Sequence, residues 1–188
     1  MTAWAAIRVL AATPDAVIPA LDAVLAREGL VPFPPDRVPP GYPAERGEFA
    51  RITVEGPDAS GATTLRLDAW RTAFARALAL ARALPGLRLA AAVMPPDAPL
   101  RLKAYARGDL ALAIGEDDDD ELFYRPARAD AAAVATLLAS WGLPAPSGPD
   151  PAAAWSMLAP GFVPCPPAAG SPGFRLYVRR TSRLALEA

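Results

Sequence analysis

At 188 residues, 53% hydrophobic and 21% charged, the chain has the length and composition of a folded globular protein rather than a disordered one. Its 19 basic and 20 acidic residues nearly cancel, so no whole-chain field points to nucleic acid or to an anionic membrane. Histidine is absent, which excludes the usual Ser-His-Asp and Cys-His nucleophiles and histidine ligation of zinc or haem iron.

Residues 3–10 alternate with Ala5, Ile7 and Val9 on one face, and predict a strand. TPDAVIPALDAVLAREG follows, with Thr13 or Asp15 as N-cap, Ile18, Leu21, Val24 and Leu25 at helical spacing, and Gly29 as the stop. Pro19 suits only a first turn, so this helix is expected to begin near Ala16. EFARITVE (48–55) and TTLRL (63–67) flank the turn chemistry of GPDASG and predict a hairpin. Asp68 is placed to cap a helix whose apolar stripe is Trp70, Phe74, Ala77, Leu78, Ala81 and Leu84, ended by Pro85-Gly86. LRLAAAVM then predicts another strand.

This order of strand, helix, strand, strand, helix, strand matches a ferredoxin-like βαββαβ unit over residues 1–96, with two helices on one face of an antiparallel sheet. Residues 97–188 read differently. LRLKAYAR and LALAI form a hairpin around Gly108-Asp109, and LFYR returns as a third meander strand. A helix capped by Asp130 carries Val134, Leu137, Leu138 and Trp141, and FRLYVRR (174–180) is the final strand. The expected fold is therefore α+β, with a β-meander–helix–strand half that extends the first unit or packs on it, in one continuous domain or two. Two proline-rich segments, 31–47 and 142–173, read as coverings of that body. The second contains Trp155, Met157, Leu158 and Phe162, too apolar for a free linker, and is expected to dock as a short helical turn.

The segment GEDDDDE sets six carboxylates in a row between apolar runs. A divalent-ion loop needs oxygens at spaced offsets and a sharp turn, and this pattern supplies neither. Its ordinary reading is a solvated hairpin tip, and its functional one is contact of Asp117, Asp118, Asp119 and Asp120 with a basic partner protein. Two strands carry alternating cations and tyrosines, Arg101, Lys103, Tyr105 and Arg107 on one, Arg175, Tyr177 and Arg179 on the other. Were the two strands neighbours, these residues would form a cationic face able to grip an acidic protein or stack single-stranded bases. The ordinary alternative is the polar side of a half-buried sheet. Arg107-Gly108-Asp109 spells an adhesion tripeptide but falls at a hairpin turn, and the PxxP spacings arise readily in a chain with 23 prolines.

Cys165, the only cysteine, excludes an intramolecular disulfide, and FVPCPP places no cation beside it to activate the thiol as a nucleophile. Lys103 is the single lysine and neither Asn nor Gln occurs, a bias that a GC-rich, bacterial genome explains. The opening MTAWAAIRVL lacks the basic and long apolar parts of a signal peptide, no run is long enough to span a bilayer, and the expected location is the cytoplasm. No nucleotide-binding glycine loop, nucleophile elbow or cofactor motif is present. The reading is thus a non-catalytic protein-interaction module of the adaptor, inhibitor or toxin-neutralising type. Nucleic acid is not expected as a partner, and the oligomeric state is open. The alternatives are a small-molecule protein or unusual enzyme, its pocket under 142–173 and Arg175 and Arg179 on an anionic ligand, or a subunit of a larger assembly.

Overall fold

The computed structural model describes residues 3–43, 45, 47–115, 131–144 and 150–186. Asp117–Asp120, the expected strand LFYR and the expected cap Asp130 lie outside the described residues.

Among the described residues the protein is α+β, with one eight-stranded antiparallel sheet and five helices. The strands are β1 (Trp4–Leu10), β2 (Leu30–Phe33), β3 (Phe49–Glu55), β4 (Thr63–Leu67), β5 (Arg88–Met94), β6 (Arg101–Ala106), β7 (Asp109–Ile114) and β8 (Phe174–Arg179). They lie side by side in the order β2-β8-β3-β4-β1-β5-β6-β7. The helices are α1 (Pro14–Arg27), α2 (Ala73–Ala83), α3 (Ala131–Ser140), α4 (Pro151–Leu158) and α5 (Arg183–Leu186). The sheet therefore runs well beyond a four-stranded unit, with the last strand inserted between β2 and β3.

The central strand β1 explains the layering. Ala5, Ile7 and Val9 bury against α1 and α2, and Ala6 points the other way into a second core with α3 and α4. Because both faces are covered, β1 carries almost no polar residue, as expected of a strand buried on both sides. Helix α1 offers Val17, Leu21, Val24 and Leu25 to the first core, and α2 offers Ala73, Ala77, Leu80 and Ala81. The small alanines let α2 lie close on the sheet. A third cluster, Phe33, Leu176, Val178 and Leu184, closes the far end of the second face.

Several local expectations change. Helix α1 begins at Pro14, where the missing N–H costs nothing, so Pro19 lies beyond the first turn and removes one intrahelical bond. Asp68 does not cap α2; its Oδ2 accepts the backbone N–H of Arg51. Part of the first proline-rich segment is the strand β2, which tolerates Pro32 because it is an edge strand. The β6–β7 turn is Arg107-Gly108, one residue earlier than expected, and both residues take positive φ, as a two-residue hairpin turn of the mirror-image type requires. The segment around Trp155 does form a helix, α4. Asp150 caps it by accepting the N–H groups of Ala152 and Ala153, and Pro151 occupies the first helical position.

Candidate functional site

The two basic strands are not neighbours. Four strands, β3, β4, β1 and β5, separate β8 from β6, so no joint cationic face exists. Three of the seven side chains, Lys103, Tyr105 and Tyr177, are buried, Arg101 and Arg175 are half-buried, and Arg107 and Arg179 are exposed. Lys103 is buried with Nζ 4.7 Å from the centroid of the Phe74 ring, and buried Tyr105 donates to the Phe74 carbonyl at 3.3 Å. Half-buried Arg101 is also engaged. Tyr177, fully buried, donates to Asp22 Oδ1 at 2.7 Å, and Arg175 donates to both Tyr177 Oη and Asp22. Burial pushes the Tyr177 hydroxyl well above its ordinary range, and its bond to Asp22 adds to the shift. Arg179 is exposed and donates to the Gly47 carbonyl at 2.8 Å. The physical reason is that both faces of the sheet are covered, and the buried members of these stripes lie on the side of α1 and α2. Alternation marks an outward face only when one side of a sheet is open, and here Lys103, Tyr105, Arg175 and Tyr177 lie against helices with their polar tips engaged.

The second face of the sheet holds a different site. Between its two apolar clusters runs a polar strip contributed by β1, β4 and β3. Ala6 pairs with Arg66, Arg8 with Thr64, and Glu55 with Thr64 across the strands, which places Arg8, Thr64, Arg66 and Glu55 on one surface. Arg8 is 3% exposed. Its Nη1 donates to Thr64 Oγ1 at 3.0 Å, and its Nη2 donates to Asp58 Oδ2 and to Ser60 Oγ. Desolvation works to raise the Asp58 carboxyl, but bonds from Ser60, Arg8 and the Ala62 N–H outweigh it and hold the group well below the usual carboxylate range. Arg66 Nε donates to Glu55 Oε1 at 2.7 Å, Nη1 donates to the Val163 carbonyl, and the guanidinium sits over the Phe162 ring. A hollow of about 180 Å³ opens here, lined by these residues and by Pro160 and Gly161.

Phe162 also lines a second, larger space. This groove of about 480 Å³ is bounded by Trp4, Met94, Leu100, Trp155, Pro164 and Cys165. Its wall is three rings, with Trp4–Phe162 centroids 5.3 Å apart, Trp155–Phe162 5.4 Å apart and nearly perpendicular, and Trp4–Trp155 6.4 Å apart. The buried Trp155 Nε1 has no hydrogen-bond partner among the described residues. The groove thus lies against the expected 142–173 covering, but neither Arg175 nor Arg179 lines it. The arginines beside it are Arg8 and Arg66. Their signal in the sequence is an arginine interrupting a short apolar strand, in AAIRVL and TTLRL.

A third hollow, about 490 Å³, lies between Phe49, Arg51, Asp68, Trp70 and Arg71, with Glu45 and Gly47 at its rim. Burial raises the Asp68 carboxyl there. Among the described residues no three His, Cys, Asp or Glu side chains converge as a metal site would require, and no helix is long and apolar enough to cross a membrane. Searches of protein-family models, curated proteins and solved structures found no match to this chain.

Proposed function

We propose that this chain is a cytoplasmic binding protein that takes a small, flat, largely apolar ligand in the groove of Trp4, Trp155 and Phe162. One observation carries the reading. Three rings from β1, α4 and the segment after α4 meet along a groove whose volume lies within the usual range for small-ligand sites. Aromatic walls of this kind stack planar ligands, and each ring pair contributes about 0.5–1.5 kcal/mol beyond area burial. The test is ligand-observed NMR with fluorinated aromatic fragments, comparing wild type with Phe162→Ala. Fragments that bind the wild type and lose contact in the variant support the reading; binders indifferent to the substitution place the site elsewhere.

Contact of Asp117–Asp120 with a basic partner protein is a separate proposal, supported by the concentration of charge in the sequence. Affinity purification beside a variant with these four residues changed to Ser tests it. The ferredoxin-like reading of residues 1–96 is likewise a proposal. Its support is the βαββαβ succession and the packing of α1 and α2 in one core.

A further inference from the structure

The hollow beside the groove brings two guanidiniums, Arg8 and Arg66, against two carboxylates, Asp58 and Glu55, so its formal charges cancel. Most of its hydrogen-bonding capacity is already engaged. Arg8 holds Thr64, Asp58 and Ser60 through its two terminal nitrogens. Asp58 Oδ1 accepts from the Ser60 N–H, the Ser60 hydroxyl and the Ala62 N–H. Arg66 uses Nε on Glu55 Oε1 and Nη1 on the Val163 carbonyl.

Among the described residues, Arg8 Nε and Thr53 Oγ1 are buried here without a hydrogen-bond partner, and two further groups, nearer the opening, make no hydrogen bond to a described residue. These further two are the donor Nη2 of Arg66 and the acceptor Oε2 of Glu55. They belong to the same ion pair. An arginine fork that closes on a carboxylate makes two parallel bonds, and here only the Nε bond is formed. The Glu55 side chain is 43% exposed, so its free oxygen is open to a ligand.

This half-open fork selects by charge. An anion at Arg66 Nη2 would stand against the Glu55 carboxylate, and a cation at Glu55 Oε2 would stand against the Arg66 guanidinium. An uncharged amide edge satisfies both, its carbonyl accepting from Nη2 and its N–H donating to Oε2. Phe162 connects the two spaces. One of its surroundings is the Arg66 guanidinium, 4.3 Å from the ring centroid, and the other is the Trp4–Trp155 pair. We infer that the ligand is a planar aromatic or heteroaromatic body carrying an uncharged carboxamide or lactam, with the ring in the groove and the amide across Arg66 and Glu55. This rests on the groove being a ligand site, as proposed above.

The experiment is isothermal titration calorimetry of the full chain with indole, indole-3-acetamide, indole-3-acetate and tryptamine, which share a flat body and differ in the polar head. Indole-3-acetamide is expected to bind about tenfold more tightly than the other three, in line with two added hydrogen bonds at a partly desolvated site. Glu55→Gln keeps the size of an exposed side chain but leaves the guanidiniums in excess, so indole-3-acetate should then gain about tenfold on the amide. Equal binding of indole and indole-3-acetamide, or tightest wild-type binding by the acetate or tryptamine, would overturn the amide assignment and leave the groove standing. Binding by none of the four, indole included, would overturn the groove as well.

Discussion

The guanidinium of Arg66 sits over the ring of Phe162, 4.3 Å from its Cζ to the ring centroid, and its Nη1 bonds the neighbouring Val163 carbonyl. A strand in the middle of the sheet thereby holds the segment after α4 at two adjacent residues. That segment supplies one wall of the aromatic groove, so the position of the wall depends on this pair. A double-mutant cycle of Arg66→Met and Phe162→Leu should give a coupling of about 1 kcal/mol, measured by chemical denaturation. Additive effects would mean that the segment is held by other contacts.

Helix α4 presents Trp155 to the same groove, and its first turn is held by Asp150. Asp150→Ala removes the acceptor for the Ala152 and Ala153 N–H groups and should cost about 1 kcal/mol. Ligand affinity should fall together with stability, because the α4 ring is then less well positioned. Calorimetric melting and titration of the same variant check both effects.

On the opposite face, Glu28 at the end of α1 takes a bidentate bond from Arg76 of α2, a side chain only 5% exposed. The two partners should respond unequally to removal. Glu28→Ala leaves a guanidinium buried without its counter-charge and should destabilise by about 2–3 kcal/mol, less than for a fully buried pair because Glu28 is one-third exposed. Arg76→Met leaves a carboxylate that can hydrate and fills the space with an apolar chain, so its cost should be clearly smaller. Urea titrations of both variants measure the difference.

Acid stability follows from Asp58. Its folded-state pKa lies below the unfolded value of about 3.9, so the stability it contributes is complete above that pH and is lost as pH falls through the folded pKa. Asp68 has the opposite sign. Its raised pKa means that protonation on the way down relieves a burial penalty. Asp58→Asn should therefore flatten the acid limb of the stability curve below about pH 4, and Asp68→Asn should steepen it. Denaturation midpoints between pH 3 and 7 give both slopes.

Much of the fold was legible in local pattern, and the site was not. Period-two alternation located β1, β3, β4 and β6, a short apolar run located β5, and 3.6-residue spacing located α1, α2 and α3. Strand β2 was hidden because Pro32 and the prolines after it read as loop, and only its edge position makes a proline harmless there. The insertion of β8 between β2 and β3 joins residues more than a hundred positions apart, and nothing local encodes such a pairing. The cationic stripes misled for a related reason. Lys103, Tyr105 and Tyr177 alternate as solvent-facing residues do, and a covering helical layer cannot be read from one strand. Arg8 and Arg66 were visible as isolated charges in apolar strands, but their meeting depends on the β1–β4 register.

The four tryptophans permit one direct test of the groove, because each indole N–H gives its own NMR signal. Trp4 and Trp155 line the groove, Trp70 lines the separate 490 Å³ hollow, and Trp141 lines neither. Indole-3-acetamide should be titrated into the ¹⁵N-labelled full chain while all four signals are followed. The signals of Trp4 and Trp155 should shift in proportion to saturation while those of Trp70 and Trp141 stay fixed. A shift confined to Trp70, or four unmoved signals at millimolar ligand, would contradict the assignment of the groove as the binding site.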